Sequence, residues 1–346
     1  MAFITPYPYT AGLTRMAELK YKNHSFTLRQ YESVLDCLLR NAEAIPYACK
    51  AGMCQACLVK AIDCEATPES KKWVKPALQA KGYTLACQWV PEQDVKVALP
   101  SVEEFSVAIS IRALKLLNDS VMQVLLDVCD PASMFAYRPG QYLSLINPQG
   151  LARSYSIANN YEIDGFIELH IARTLHGVFT RWLFTDAAIG NILHMRGPTG
   201  DCYYHDSIEK DLPLLLAGTG TGLAPLYGIV QDALAHGHTG TIALYHGGRS
   251  SAQLYYVAEL QALARTHKNF TYFPCTIQAS DPPALTGKLE LSVAQELDPA
   301  TLPRTLVFLC GAPEFVHDMR KRAYLKGARS ANIFCDPFTE RNVVSS

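Results

Sequence analysis

Three cysteines within nine residues, Cys49, Cys54 and Cys57, with a fourth, Cys87, thirty residues further on, constrain this chain more than any other feature of it. The spacing C-x4-C-x2-C…C is the one by which four thiolates converge on a [2Fe–2S] cluster. The segment between the first three must wrap tightly, and Ala51, Gly52 and Ala56 let backbone N–H groups approach the sulfur atoms, where they help set the reduction potential. Structural zinc and buried free thiols are the competing readings. Zinc knuckles usually show two short C-x2–4-C pairs, whereas Cys87 has no near neighbour, and three cysteines this close argue against unrelated buried thiols. Cys37, Cys64, Cys129, Cys202, Cys275 and Cys335 lack any such spacing and read as small buried hydrophobes.

At 346 residues the chain is too long for one ordinary core, which predicts two or three domains. Ahead of the cysteines, Ala17–Tyr21 and Ser25–Leu28 predict a hairpin around Lys22-Asn23-His24. Ser33 then caps a helix whose apolar face is Val34, Leu35, Leu38 and Leu39, with Pro46 expected to end the run. This region, with Leu85-Ala86-Cys87-Gln88 around the last ligand, resembles the ferredoxin domains of plants and bacterial oxygenase reductases. The resemblance implies a β-grasp [2Fe–2S] domain over residues 16–99 with Cys49, Cys54, Cys57 and Cys87 as ligands. Residues 1–100 hold 12 Lys/Arg and 9 Asp/Glu, a net of +3, whereas free plant ferredoxins are strongly acidic. A domain tethered to its own donor needs no charge steering to find it.

Pro100–Glu104 forms a polar joint, after which Val107–Ile111, Val121–Val128 and Tyr142–Ile146 show strand patterns suggesting an antiparallel barrel. Between these and the next strand lies Arg153-Ser154-Tyr155-Ser156. The motif is similar to the R-x-Y-[ST] of the ferredoxin–NADP reductase superfamily. That resemblance implies an FAD domain over 104–206, with Arg153 on the pyrophosphate, Tyr155 against the isoalloxazine and Ser156 near flavin N5. A guanidinium suits phosphate oxygens, and an aromatic face suits a flat ring. Gly177-Val178-Phe179-Thr180 opens a predicted helix whose N-terminus would also seat the pyrophosphate, although His176 stands where the family often has a small residue. Arg196-Gly197-Pro198-Thr199-Gly200-Asp201, with Tyr203, resembles the segment that ends the family's barrel.

Leu212–Ala217 is a short apolar run leading into Gly218-Thr219-Gly220-Thr221-Gly222-Leu223-Ala224-Pro225 and a helical stretch to about His236. Strand, glycine loop and helix is how a pyrophosphate is cradled. The loop resembles the superfamily's G-[TS]-G-x-G-x-x-P and implies a Rossmann-like nicotinamide domain over 207–338. Predicted strands Thr241–Tyr245 and Thr305–Leu309 lead to Gly247-Gly248-Arg249 and to Cys310-Gly311-Ala312-Pro313. The second resembles the family's C-G-x-P, which implies that Cys310 lies beside the nicotinamide C4. Asp336-Pro337-Phe338 resembles its D-x-F, with Phe338, or alternatively Phe334, shielding the flavin. Oxygenase reductases with this Gly248-Arg249 type of loop are mostly NADH users, which implies NADH, with NADPH as the alternative.

The expected fold class is thus multidomain α+β and α/β: ferredoxin, flavin barrel and parallel-sheet nicotinamide domain in that order. It is the layout of reductase components of ring-hydroxylating dioxygenases and diiron monooxygenases, implying a terminal oxygenase or hydroxylase as acceptor. A deoxysugar-synthesis reductase and a redox sensor without turnover are the alternatives. A net charge of −1 predicts no nucleic-acid partner. The absence of a long apolar run predicts no membrane insertion, and an N-terminal segment without signal-peptide character predicts a cytoplasmic address; the free chain is expected to be a monomer.

Overall fold

The computed structural model describes residues 16–43, 45–47, 49–52, 55–74, 76–100, 106–130, 136–278 and 285–338. They fall into two compact units, one of residues up to 46 with 50–100, the other of 47–49 with 101 onward.

In the first unit, β1 (Glu18–Tyr21) and β2 (His24–Thr27) form the expected hairpin, with His24 opposite Tyr21 inside the strand rather than in the turn. The helix α1 (Val34–Arg40) is capped by Ser33, whose Oγ accepts from the Asp36 N–H and donates to its carboxylate. It ends well before Pro46. Asn41 and the left-handed Ala42 (φ 58°) stop it, with the Glu43 N–H turning back onto Leu38 O at 2.9 Å. β3 (Leu58–Ala61), the single-turn helices α2 (Pro68–Lys71) and α3 (Pro76–Gln79), β4 (Tyr83–Leu85) and β5 (Val95–Ala98) follow. The sheet order is β2-β1-β5-β3-β4, with only β1 and β5 parallel, and Val34, Leu35, Cys37 and Leu38 of α1 are buried. This is the β-grasp arrangement.

The second unit begins with six antiparallel strands: β6 (Val107–Asn118), β7 (Val121–Val128), β8 (Tyr142–Ile146), β9 (Ala152–Ser156), β10 (Ile167–Ala172) and β11 (Ile192–Thr199). The short helix α4 (Tyr161–Asp164) precedes β10, and α5 (Val178–Thr185) follows it. β6 runs seven residues beyond its predicted end, because two register shifts keep it paired along β7 as far as Asn118. Arg153–Ser156 proves to be strand itself, paired residue for residue with β8. Order β10-β7-β6-β11-β8-β9, with a bridge from Ile157 to Leu169, closes the sheet into a barrel. Alternate residues such as Ile109, Val124, Leu126, Leu143, Leu169 and Met195 fill its interior.

The remaining strands are all parallel: β12 (Leu214–Thr219), β13 (Ile242–Gly248), β14 (Phe270–Thr276), β15 (Leu285–Thr286), β16 (Leu306–Gly311) and β17 (Ile333–Pro337), in the order β15-β14-β13-β12-β16-β17. Helices α6 (Leu223–Ala235), α7 (Val257–Thr266), α8 (Leu289–Glu296) and α9 (Pro313–Leu325) connect them. Leu216, Leu226, Ile229 and Phe308 share one buried cluster, and Val307, Leu309, Val316 and Met319 another, so the central strands are covered on both faces. No helix among the described residues is long and apolar enough to cross a membrane.

Candidate functional site

The antiparallel register Leu58↔Leu85 sets Cys57, just before β3, and Cys87, just after β4, at one end of the same strand pair. Cys57 is buried and Cys87 half-buried. Lys50, Gly52 and Gln55 all have positive φ (53°, 83° and 53°). Such left-handed residues turn successive N–H groups to one side and make a concavity suited to anionic sulfur. A Cβ on Gly52 would lie 3.1 Å from Gln88 Cγ and 3.2 Å from Trp73 Cδ1, so those side chains would have to give, and its φ of 83° is one that other residues adopt only with strain. The Gln88 amide donates to Lys50 O at 3.2 Å and reaches Cys87 Sγ at 3.5 Å. The loop therefore fits a sulfide cluster. Cys54 lies outside the described residues, and among those described no three His, Cys, Asp or Glu side chains form a metal-holding group.

On the barrel, Gly177 caps α5, and a Cβ there would overlap the Thr174 hydroxyl and lie 2.5 Å from that of Thr180. Thr180 Oγ1 donates to Gly177 O at 3.1 Å, fixing the first turn, whose leading N–H groups have no carbonyl within the helix. Tyr155 sits beside this turn, its ring centroid 5.5 Å from that of Phe179. Burial pushes its phenol well above the ordinary range, so it stays protonated. Strand alternation puts Arg153 on the face of Tyr155; its Nη1 donates to Ala152 O at 2.7 Å. A guanidinium and a phenol beside a helix N-terminus fit a flavin pyrophosphate and ring.

Ser156, on the opposite face, donates to Asp336 Oδ2 at 3.0 Å, joining β9 to β17. Burial raises the Asp336 carboxyl to about 6, against the lowering effect of the Ser156 hydroxyl. Because the folded value exceeds the unfolded one, the stability this group contributes is intact below about pH 4 and is lost as pH rises through about 6. Asp336→Asn is accordingly expected to stabilise the protein by about 3 kcal/mol above about pH 7 and by nothing near pH 4, read by thermal unfolding across pH. A gain that did not change with pH would contradict this.

In the parallel sheet, one row of residues crosses the carboxyl edge: Pro274, His246, Gly218, Cys310 and Asp336. Above it the glycine loop meets the β16 loop. A Cβ on Gly222 would overlap Cys310 O and lie 2.9 Å from Gly311 N, and Gly311 (φ 120°) faces Thr219 just as closely. Thr219 Oγ1 accepts from the Ala312 N–H at 3.0 Å. Gly220 (φ 55°) and Thr221 form the loop's crest, and Pro225 is buried in the first turn of α6. Pro313 occupies the first position of α9, where its missing N–H costs nothing. Gly248 ends β13, and Arg249 is exposed, its N–H donating to Gln253 Oε1 at 2.9 Å. Cys310 is 0 % exposed, with its Sγ 3.6 Å from Cys202 Sγ, and burial pushes its thiol far up. Its backbone, rather than its thiol, borders the loop. Phe334 stacks on Phe308 at 5.0 Å and belongs to that core, whereas the half-buried Phe338 leaves β17 with its N–H on Gly311 O at 2.7 Å.

A polar cluster joins barrel to sheet, and no local sequence signal pointed to it. Glu168 Oε1 on β10 accepts from Tyr256 Oη at 2.6 Å and Gln123 Nε2 at 2.8 Å and lies 2.8 Å from His170 Nε2. Burial alone would raise this carboxyl, but the bonds from His170, Tyr256 and Gln123 outweigh it and hold it below the ordinary range. His170 Nδ1 lies 3.1 Å from Tyr255 Oη, and the Tyr255 ring meets His246 edge to face at 5.5 Å. Burial pushes His246 down to about 3, so it is neutral at working pH.

Comparison with known proteins agrees with this division. The 2Fe-2S iron-sulfur cluster binding domain family matches residues 18–92, the oxidoreductase FAD-binding domain family 108–204, and the oxidoreductase NAD-binding domain family 216–321. The chain is 33% identical over 265 residues to the reductase subunit of an Amycolatopsis aromatic O-demethylase, covering 72% of this chain and 78% of that protein. It is 30% identical to the ferredoxin–NAD(P)(+) reductase component of the Pseudomonas putida naphthalene 1,2-dioxygenase system, covering 88% and 93%. Among solved structures, Amycolatopsis cytochrome P450 reductase GcoB is similar with a TM-score of 0.66 at 27% identity, over 94% of this chain and 99% of that one.

Proposed function

This chain belongs to the three-domain iron–sulfur flavoprotein reductases of the ferredoxin–NAD(P) reductase superfamily, and on that premise we propose that it carries electrons from NADH to the terminal oxygenase of a multicomponent mono- or dioxygenase system. It is an NAD(P)H-dependent oxidoreductase whose cofactors are a [2Fe–2S] cluster, FAD and nicotinamide. The observation that carries the proposal is the Ser156–Asp336 bond, which ties the flavin motif to the edge of the nicotinamide sheet in the same row as Cys310 and Gly218.

Bound FAD supplies the step between two-electron hydride chemistry and single electrons, and the cluster supplies the one-electron exit. The protein's task is placement. Arg153 and the α5 N-terminus at Gly177, Val178 and Thr180 would hold the flavin pyrophosphate, and Tyr155 would hold the ring. Ser156 keeps its proton on Asp336, so its lone pairs remain as acceptors. Gly218, Thr219, Gly220, Thr221, Gly222 and Pro225 would cradle the nicotinamide pyrophosphate, with Gly248, Arg249, Gly311 and Pro313 lining the same crevice. Cys310 is assigned the positioning of that loop through its backbone, and Phe338 the cover over the flavin. Cys49, Cys54, Cys57 and Cys87 would ligate the irons. Domain limits of 16–99, 104–206 and 207–338 are supported by the gaps between β5 and β6 and between β11 and β12. Monomeric state and cytoplasmic location complete the proposal.

Purified protein is expected to reduce cytochrome c with NADH at a kcat/KM about tenfold or more above that with NADPH. Failure with both nicotinamides would contradict the proposal, and an NADPH preference would overturn its donor.

A further inference from the structure

Positive charge in the first hundred residues is unevenly distributed. Residues 58–86, between the third and fourth ligand cysteines, hold Lys60, Lys71, Lys72, Lys75 and Lys81 against Asp63, Glu65 and Glu69, a net of +2 out of the +3 of residues 1–100, and Lys71 is paired with Glu65 at 3.3 Å. Within it Trp73 is 54 % exposed, although an indole of that size ordinarily buries most of its area. It also touches the cluster loop: Gln55 Nε2 donates to Trp73 O at 3.0 Å, and the space Gly52 leaves open is bounded by Trp73 Cδ1. Lys72 Nζ stands 5.2 Å from the Trp73 ring centroid and has no carboxylate partner among the described residues. Lys50, across the loop, is exposed and paired with Asp36 at 2.7 Å.

We propose that Trp73, Lys72 and the adjoining limb of the cluster loop form the docking face through which this chain gives single electrons to an acidic surface of an acceptor protein. The inference rests on the cluster assignment made above. An exposed tryptophan beside a redox loop offers a flat apolar anchor of the kind that dominates interface energies, and an unpaired lysine beside it selects for negative charge. The step is simple in its balance: one electron leaves the reduced irons and takes a ferric haem or iron centre to ferrous, with no bond or proton transferred. Lys72 gives this face an exposed positive charge, so the complementary partner surface is acidic. Residues 101–346 hold 19 Lys/Arg and 23 Asp/Glu, so the chain's own remainder is the competing occupant.

The soluble domain of cytochrome b5, an acidic haem protein, is a suitable probe, with its oxidised form titrated into oxidised, cofactor-loaded full-length protein by calorimetry. Affinity is expected to fall about tenfold between about 20 and 300 mM ionic strength, as screening removes the attraction. Lys72→Glu is expected to weaken low-salt binding about tenfold, and Trp73→Ala to weaken it about tenfold at either salt, with the cluster's paramagnetic signal reporting that each variant is intact. Stopped-flow reduction of the cluster from flavin should stay within about twofold of wild type in Lys72→Glu, because the face serves an external partner. Salt-independent binding that ignores Lys72 would overturn the proposal, and so would a loss confined to flavin-to-cluster transfer, which would turn the face toward the chain's own flavin. Protein reduced stoichiometrically with dithionite, then mixed with cytochrome b5, tests the face without nicotinamide. Transfer that fails there sinks the docking proposal, whereas failure with NADH alone sinks the donor assignment.

Discussion

Cys87→Ser should lower NADH-driven reduction of cytochrome c by at least about a hundredfold while leaving NADH reduction of a small two-electron acceptor within about twofold of wild type. The difference follows from ligand chemistry. A thiolate is a soft ligand suited to iron–sulfur centres, and a serine hydroxyl keeps its proton near neutral pH. Cys87 also sits two residues beyond β4, where Gln88 reaches its sulfur at 3.5 Å, so the substitution disturbs the fourth ligand and the hydrogen bond beside it together. The two-electron reaction needs only the barrel and the parallel sheet, whose strands lie in the other unit. Equal loss of both activities would contradict this division of labour.

Gly222→Ala is expected to raise the KM for NADH about tenfold or more while FAD stays bound, at a cost in stability of about 1–3 kcal/mol. The added Cβ would overlap Cys310 O and lie 2.6 Å from Cys310 C, and these are backbone atoms of a central strand that cannot swing aside. The glycine loop must then lift from β16, lengthening the bond from the Ala312 N–H to Thr219. Gly220→Ala provides the contrast. Nothing lies within 4 Å of a Cβ there, and the cost is only the left-handed φ, about 1 kcal/mol. Steady-state kinetics with flavin content measured on the same preparations checks both. NADH affinity unchanged in Gly222→Ala would remove the loop from the binding crevice.

The parts of this molecule that were legible in its sequence are those written in short segments. A strand leading into Gly218–Gly222 and Gly177 before an apolar helix each impose a local geometry, and each emerged as expected; the four spaced cysteines marked out the iron–sulfur domain that the family match over residues 18–92 bears out. What stayed hidden depends on residues far apart. The Glu168 carboxylate meets Tyr256 across 88 positions, Ser156 meets Asp336 across 180, and the bridge from Ile157 to Leu169 that closes the barrel has no periodic signature. Local geometry also corrected the edges. A left-handed Ala42 ended α1 before any proline could, and pairing with β8 drew Arg153–Ser156 into a strand. The Cys310 thiol lies in the core 3.6 Å from that of Cys202, a contact across 108 positions that its motif does not announce.

The central claim, that one chain takes a hydride pair from NADH and releases it as single electrons, is tested most directly by anaerobic titration with NADH followed by visible absorption and electron paramagnetic resonance. Loss of flavin absorbance together with the signal of a reduced [2Fe–2S] cluster is the predicted result. Flavin bleaching without that signal in iron-replete protein, or protein carrying zinc and no flavin, would contradict it.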